Sequence, residues 1–195
     1  MALELSEAMG EEVRYLGIDV HGPSIAWCRR RFRGDDRFRF EIASVRSAFG
    51  PGDQPIGRYR LPVQDDAAAL VLAKSLFTHL SEMEARRYLS EIARTLHPHG
   101  AAVVTAFLFG GDPPAFPFGE DAVRWRVRAR PAAATAFARA LFEEMVADAG
   151  LELADASFGF HPGESPALSG QDVLLLRRKP RSLSDPGVSD RAVEA

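Results

Sequence analysis

The residues best suited to chemistry in this chain are one acid and one histidine. Asp19 ends the apolar run "YLGID" (Tyr15 to Asp19), and a turn and the helix-prone stretch "PSIAWCRRRF" follow it. An apolar strand ending in an acid, then a turn, then a helix holds a nucleoside in many α/β enzymes, because a carboxylate there accepts two hydroxyl hydrogen bonds. The same acid also suits the simpler task of starting a turn or helix. Histidine as a residue type exchanges protons near neutral pH, so His79, in "SLFTHL", could be a base or a substrate contact. The simpler and favoured reading has it hydrogen-bonded to backbone where a helix begins. His97 and His99, in "LHPHG", suit the free carbonyls and dipole at a helix end better than a metal. His161 and Glu164 share a loop, but two such ligands make a weak site. No metal is expected. Cys28 is the only cysteine, which rules out an internal disulfide and a multi-cysteine metal site.

These side chains are positioned by elements that alternate along the chain. Its 195 residues suffice for one domain with a sizeable core, and 46% apolar with 26% charged residues is ordinary globular composition. A formal net charge of −3 gives no field that would draw the chain to nucleic acid or an anionic membrane. The acidic start "MALELSEAMGEE" is no secretory signal, and the run "AAVVTAFLF" is too short for a spanning helix. A cytoplasmic protein without membrane or nucleic-acid partners is expected. Strands are expected over Val13–Asp19, Arg37–Ala43, Ala67–Ser75 (buried), Ala101–Phe109, the "LELADASFGF" stretch and Gln171–Lys179. Helices are expected over Ala2–Met9, Pro23–Phe32, Ser81–Gly100 and Thr135–Gly150. The third has an S-x-x-E capping box, Ser81 with Glu84. "VRWRVRAR", around Trp125, reads as a solvated strand edge rather than a nucleic-acid stripe. The segment 1–179 is expected to be one domain and 180–195 a disordered tail. The alternation argues for a mainly parallel sheet closed by an antiparallel terminal hairpin.

Taken together, these segments resemble the class I S-adenosylmethionine-dependent methyltransferases. "YLGIDVHGPSIAWCRRRF" is similar to that family's second strand and following helix, and "FRFEIASV" to its third strand. "ALVLAKSLFTHLSEMEARRYLSEIARTLHPHGAAVVTAFL" is similar to the fourth strand through the fifth, and "QDVLLLRRKP" to a common end of the domain. The resemblance implies a three-layer α/β Rossmann-like sheet in the order 3-2-1-4-5-7-6, mostly parallel with an antiparallel C-terminal strand. It implies S-adenosylmethionine as cofactor. Asp19 then takes the ribose hydroxyls, while Val20 and Ile25 lie beside the adenine. Ser44, followed by Val45, stands where the family usually carries an acid for the adenine amino group. Lys74, Ser75, Leu76 and Phe77 pass under the methionine half. The acceptor, a protein or, by preference, a small molecule, lies near His79 and Phe107 beneath the loop Asp112–Phe118, with Phe116 and Phe118 either forming a lid or packing inward.

The family's first strand and its E/D-x-G-x-G-x-G turn have no counterpart here, so the expectation is a sheet lacking its first strand, in a truncated or degenerate chain. Unpaired buried backbone groups cost roughly 1–3 kcal/mol each. Three remedies follow: direct pairing of the second strand with the fourth, a strand donated by a partner or in a homodimer, or an upstream segment. Three functions follow as well. The first is methyl transfer to an unidentified acceptor, which needs chiefly orientation and no dedicated catalytic set. The second is a non-catalytic methyltransferase-like subunit. The third is a different nucleotide-binding protein, opposed by the lack of any G-x-G-x-x-G or Walker loop.

Overall fold

A computed structural model describes residues 12–47, 49–111, 115–159 and 170–180. The helix expected over Ala2–Met9, His161, Glu164 and residues 181–195 lie outside them. The chain forms two compact units, Met1–Arg60 and Leu61–Ala195.

In the first unit, strand β1 (Tyr15–Asp19), helix α1 (Gly22–Arg31) and strand β2 (Phe38–Ile42) form a βαβ turn with the two strands parallel, Tyr15 opposite Phe38 and Asp19 opposite Ile42. Its core is aromatic: Phe32 stacks on Phe38 at 4.3 Å between centroids, and Tyr15 lies 5.8 Å from both Phe38 and Phe40. Gly17 leaves room for this cluster, since a Cβ there would come within 2.7 Å of the Phe40 ring. A short antiparallel pair follows, β3 (Arg46–Ser47) with β4 (Gly50–Pro51).

The second unit holds β5 (Ala68–Ala73), helix α2 (Glu82–Thr95) and β6 (Leu96–Ala106). Its capping box is complete, with Ser81 Oγ accepting from the Glu84 amide and the Glu84 carboxylate accepting from the Ser81 amide. Next come β7 (Leu108–Phe109), β8 (Phe118–Glu120), β9 (Val123–Trp125), β10 (Thr135–Ala138), helix α3 (Arg139–Asp148), β11 (Leu151–Ser157) and β12 (Asp172–Arg178). One sheet has the order β11-β12-β6-β5, with β5 parallel to β6 and β12 antiparallel to both neighbours. A second sheet has the order β7-β10-β9-β8. The core of the unit runs through Phe77, Leu89, Phe137, Phe142, Val104, Leu174 and Leu176, all buried.

Placed beside the 3-2-1-4-5-7-6 order, the pair β2-β1 supplies the 3-2 portion and β5-β6-β12-β11 the 4-5-7-6 portion. Among the described residues β1 pairs only with β2, and β5 only with β6.

Six local expectations are corrected. The helix from Ser81 stops at Thr95, because Leu96 already pairs with Ala68. His97 and His99 therefore lie on strand β6 rather than closing a helix. Gly100 permits the close approach, since a Cβ there would meet the Ala68 carbonyl oxygen at 2.8 Å. The expected helix from Thr135 starts only at Arg139, since Thr135–Ala138 pairs with β7 and β9. The "AAVVTAFLF" strand breaks at Phe107 and changes sheets. β9, with Trp125, is an inner strand rather than an edge. β5 is an edge strand, not a buried one, and its Leu70 is 38% exposed.

Candidate functional site

Parallel strands place their ligand-binding loops at their carboxyl ends. In the first unit that end carries Asp19 and Ile42, directly opposite each other. The Ala43 amide donates to the Asp19 carbonyl at 2.9 Å, which extends the pairing one step beyond β2. Asp19 Oδ1 accepts from the His21 amide at 2.8 Å, so one carboxylate oxygen shapes the turn into α1. Oδ2 accepts no hydrogen bond among the described residues, and the side chain is exposed. Ile42 beside it is 50% exposed, which leaves an apolar surface next to a carboxylate. Val20 is half-buried against Gly50, where a Cβ would stand 3.0 Å from the Val20 Cβ. Ile25 is 3% exposed and belongs to the core.

Ser44 is exposed and its carbonyl accepts from the Gln54 amide at 3.1 Å. Val45 bridges to Gln54 and is 1% exposed, so its side chain is enclosed. Gly52 crosses it so closely that a Cβ would lie 2.3 Å from the Val45 amide nitrogen. The structure thus brings Asp19, Val20, Ile42 and Ser44 to one end of the β1-β2 pair.

In the second unit, Lys74 and Ser75 follow β5, and Lys74 is exposed. Ser75 has φ +55°, a left-handed conformation that costs a non-glycine residue about 1 kcal/mol or more. Its neighbours hold it there. The Ser75 amide donates to Thr105 Oγ1 at 2.7 Å, Thr105 Oγ1 donates to Gln171 Oε1 at 2.6 Å, and Gln171 Nε2 donates to Ser75 Oγ at 3.1 Å. Thr78 Oγ1 donates back to the Ser75 carbonyl at 3.1 Å. Beside this network Asp172 is 3% exposed, and it accepts from the Leu108 amide at 2.6 Å and the Gly159 amide at 2.7 Å. The turn after β5 is therefore tied to the ends of β6 and β12.

His79 Nδ1–H donates to the Ala132 carbonyl at 2.9 Å, which links the turn Phe77–His79 to the turn Pro131–Ala133. Phe116 of the expected lid is 6% exposed and packs on Phe107. Gln171, Asp172 and Thr105 were not visible as site residues in the sequence. Their only signal is two polar residues heading a strand otherwise written "VLLL". Among the described residues no group of three or more His, Cys, Asp or Glu could hold a metal ion.

A family model described as a methyltransferase domain matches residues 1–104, more than half of the 195-residue chain. The chain belongs to the class I S-adenosylmethionine-dependent methyltransferases. The methyltransferase fold is equally clear from solved structures of low sequence identity. A Methanosarcina mazei S-adenosylmethionine-dependent methyltransferase superposes with a TM-score of 0.60 at 14% identity, over 91% of this chain and 86% of that one. A chain from the complex between the Haloferax volcanii Trm112 methyltransferase activator and a methyltransferase gives 0.59 at 18% identity, over 91% and 77%. LepI, solved in complex with S-adenosylmethionine, gives 0.58 at 12% identity over 91% of this chain. This methyltransferase chain spans 40% of the LepI chain.

Proposed function

We propose that the chain transfers a methyl group from S-adenosylmethionine to a small-molecule acceptor, and that Asp19 receives the cofactor's ribose hydroxyls. The observation that carries this is the Oδ2 of Asp19, which accepts no hydrogen bond among the described residues, beside exposed Ile42 at the carboxyl end of a parallel pair in a chain of this family. A carboxylate next to an apolar surface fits a ribose joined to a base. Val20 adds apolar surface there. The Ser44 hydroxyl serves as a weaker acceptor than the usual acid for an adenine amino group, and buried Val45 supports the turn behind it. Lys74 and Ser75 serve the methionine half, with Ser75 held by Thr105 and Gln171. S-adenosylmethionine, when bound, supplies an electrophilic methyl on a sulfonium centre. The chain's own task is orientation, with a base only where the acceptor carries a proton. His79 is the candidate for that base, held in place where its Nδ1 meets the Ala132 carbonyl. The setting is cytoplasmic, without nucleic-acid or membrane partners. No described helix is long and apolar enough to cross a membrane.

A second reading has a partner or a second copy complete the cofactor site. Among the described residues β5 pairs only with β6, and that edge, with Leu70 38% exposed, favours it. Titration calorimetry with S-adenosylmethionine distinguishes the two. The first reading expects binding by the 195-residue chain alone. It also expects a roughly 30-fold loss in Asp19→Ala, because two hydroxyl bonds to an exposed carboxylate are worth about 2 kcal/mol. Unchanged affinity in Asp19→Ala removes the ribose assignment. Absence of binding by the chain alone supports the second reading.

A further inference from the structure

Phe107 stands one residue beyond Ala106, the last residue of β6, and so lies at the carboxyl end of that strand. Its half-buried ring meets Phe116 with 5.1 Å between centroids and 50° between planes. Arg126, the residue after β9, lays its guanidinium over both rings, 5.5 Å from the Phe107 centroid and 5.0 Å from that of Phe116. Its backbone is fixed by the Arg126 amide donating to the Ala134 carbonyl at 3.0 Å. Phe109, Ala134 and Ala136 form the buried apolar floor under these rings. Arg126 is exposed, and among the described residues its guanidinium makes no ion pair and no hydrogen bond.

Stacking restrains the guanidinium plane and leaves its edge of five N–H donors without an acceptor among the described residues, and such an edge matches a planar carboxylate with two parallel hydrogen bonds. The local charge favours an anion. The stretch Val123–Arg130 has four arginines and no acid, and Glu120 pairs with Val123, on the opposite face of β9 from Arg124 and Arg126. Beside the guanidinium, the Phe107 ring offers a flat apolar surface to an aromatic body.

We propose that Arg126, stacked on Phe107 and Phe116, binds the carboxylate of an aromatic acid, which makes the acceptor an anionic aromatic compound. The inference rests on the methyltransferase reading above and names the acceptor class. Arg126 anchors the carboxylate while the methyl-accepting atom lies elsewhere on the acceptor.

The test is titration of the full chain with benzoate and with its neutral isostere benzamide, followed by ligand-observed NMR, with S-adenosylhomocysteine binding measured in parallel. Benzoate should bind about tenfold more tightly than benzamide, the worth of one charge-assisted contact, and the preference should shrink as salt is added. Arg126→Gln should remove the preference while leaving the thermal midpoint nearly unchanged, because an exposed cation–π contact contributes little to stability. Arg126→Lys, with charge but no fork, should retain part of it. Equal binding of acid and amide, binding of neither, or a preference that survives Arg126→Gln each overturns the proposal. Absence of the acid preference in the wild-type chain, with S-adenosylhomocysteine still bound, refutes only the anchor. An intact preference without S-adenosylhomocysteine binding leaves the anchor standing and refutes cofactor binding by the chain alone.

Discussion

Glu91→Gln is a sharp test of how the second unit positions β5. Glu91, on α2, is 3% exposed. Its Oε2 accepts from the Leu61 amide at 2.8 Å and from Arg94 Nη2 at 2.6 Å, and its Oε1 accepts from Arg94 Nε at 3.1 Å. Arg87 adds an ion pair at 3.2 Å. Arg94 in turn donates to the carbonyls of Leu61 and Val63 and to Asp65, so one acid and one guanidinium pin the segment that leads into β5. Burial by itself raises the Glu91 carboxyl pKa, but the hydrogen bonds from Arg94 and the Leu61 amide, with the charges of Arg94 and Arg87, more than offset it. The group titrates below the ordinary carboxylate range. A depressed folded-state value means the stabilisation is complete at neutral pH and is lost as pH falls through that value. Glutamine keeps one acceptor and removes the charge, while Arg94 keeps its other partners. The expected cost is therefore about 2–3 kcal/mol, below the 3–5 of a fully broken buried pair. Urea unfolding at neutral pH, followed by Trp125 fluorescence in a Trp27→Phe background, measures it. The variant should also lose much of the wild-type decline in stability on acidification. A change under about 0.5 kcal/mol, or an unaltered acid profile, refutes the network's role.

Further predictions concern packing. Gly52→Ala should destabilise the first unit by about 3 kcal/mol, because the new Cβ meets the Val45 backbone at 2.3 Å; Trp27 fluorescence during denaturation reads this. Phe77, fully buried and edge-on to Phe142 at 5.5 Å, should cost about 3–5 kcal/mol as Phe77→Ala. Phe77→Leu should cost roughly 1.5 kcal/mol or less, and calorimetric melting compares the two.

The sequence revealed the fold where local signals and tertiary pairing agree. The capping box of Ser81 and Glu84, the alternation in Phe38–Ile42 and the run "VLLL" all became the expected elements. It misled where pairing overrides propensity. Thr135–Ala138 continues smoothly into a helical pattern, and only the flanking β7 and β9 make it a strand. His97–Gly100 reads as a helix stop because Pro98 and Gly100 are breakers, yet Gly100 serves close strand approach. The Asp19 turn was legible because strand, acid and helix are contiguous. The Ser75–Thr105–Gln171 network was not, because its members are 30 to 96 residues apart in sequence. The stacking of Arg126 on Phe107 and Phe116 was hidden for the same reason, although the rings themselves were noticed.

The central claim is that the Asp19 end of β1 receives the cofactor's ribose. Amide NMR of the labelled chain during titration with S-adenosylhomocysteine tests it most directly. The His21 amide, which donates to Asp19 Oδ1, is a built-in reporter. The account predicts saturable shifts at Asp19–Gly22 and at Ser44–Val45, and their loss in Asp19→Ala. Saturating binding that leaves the His21 amide unmoved would contradict it.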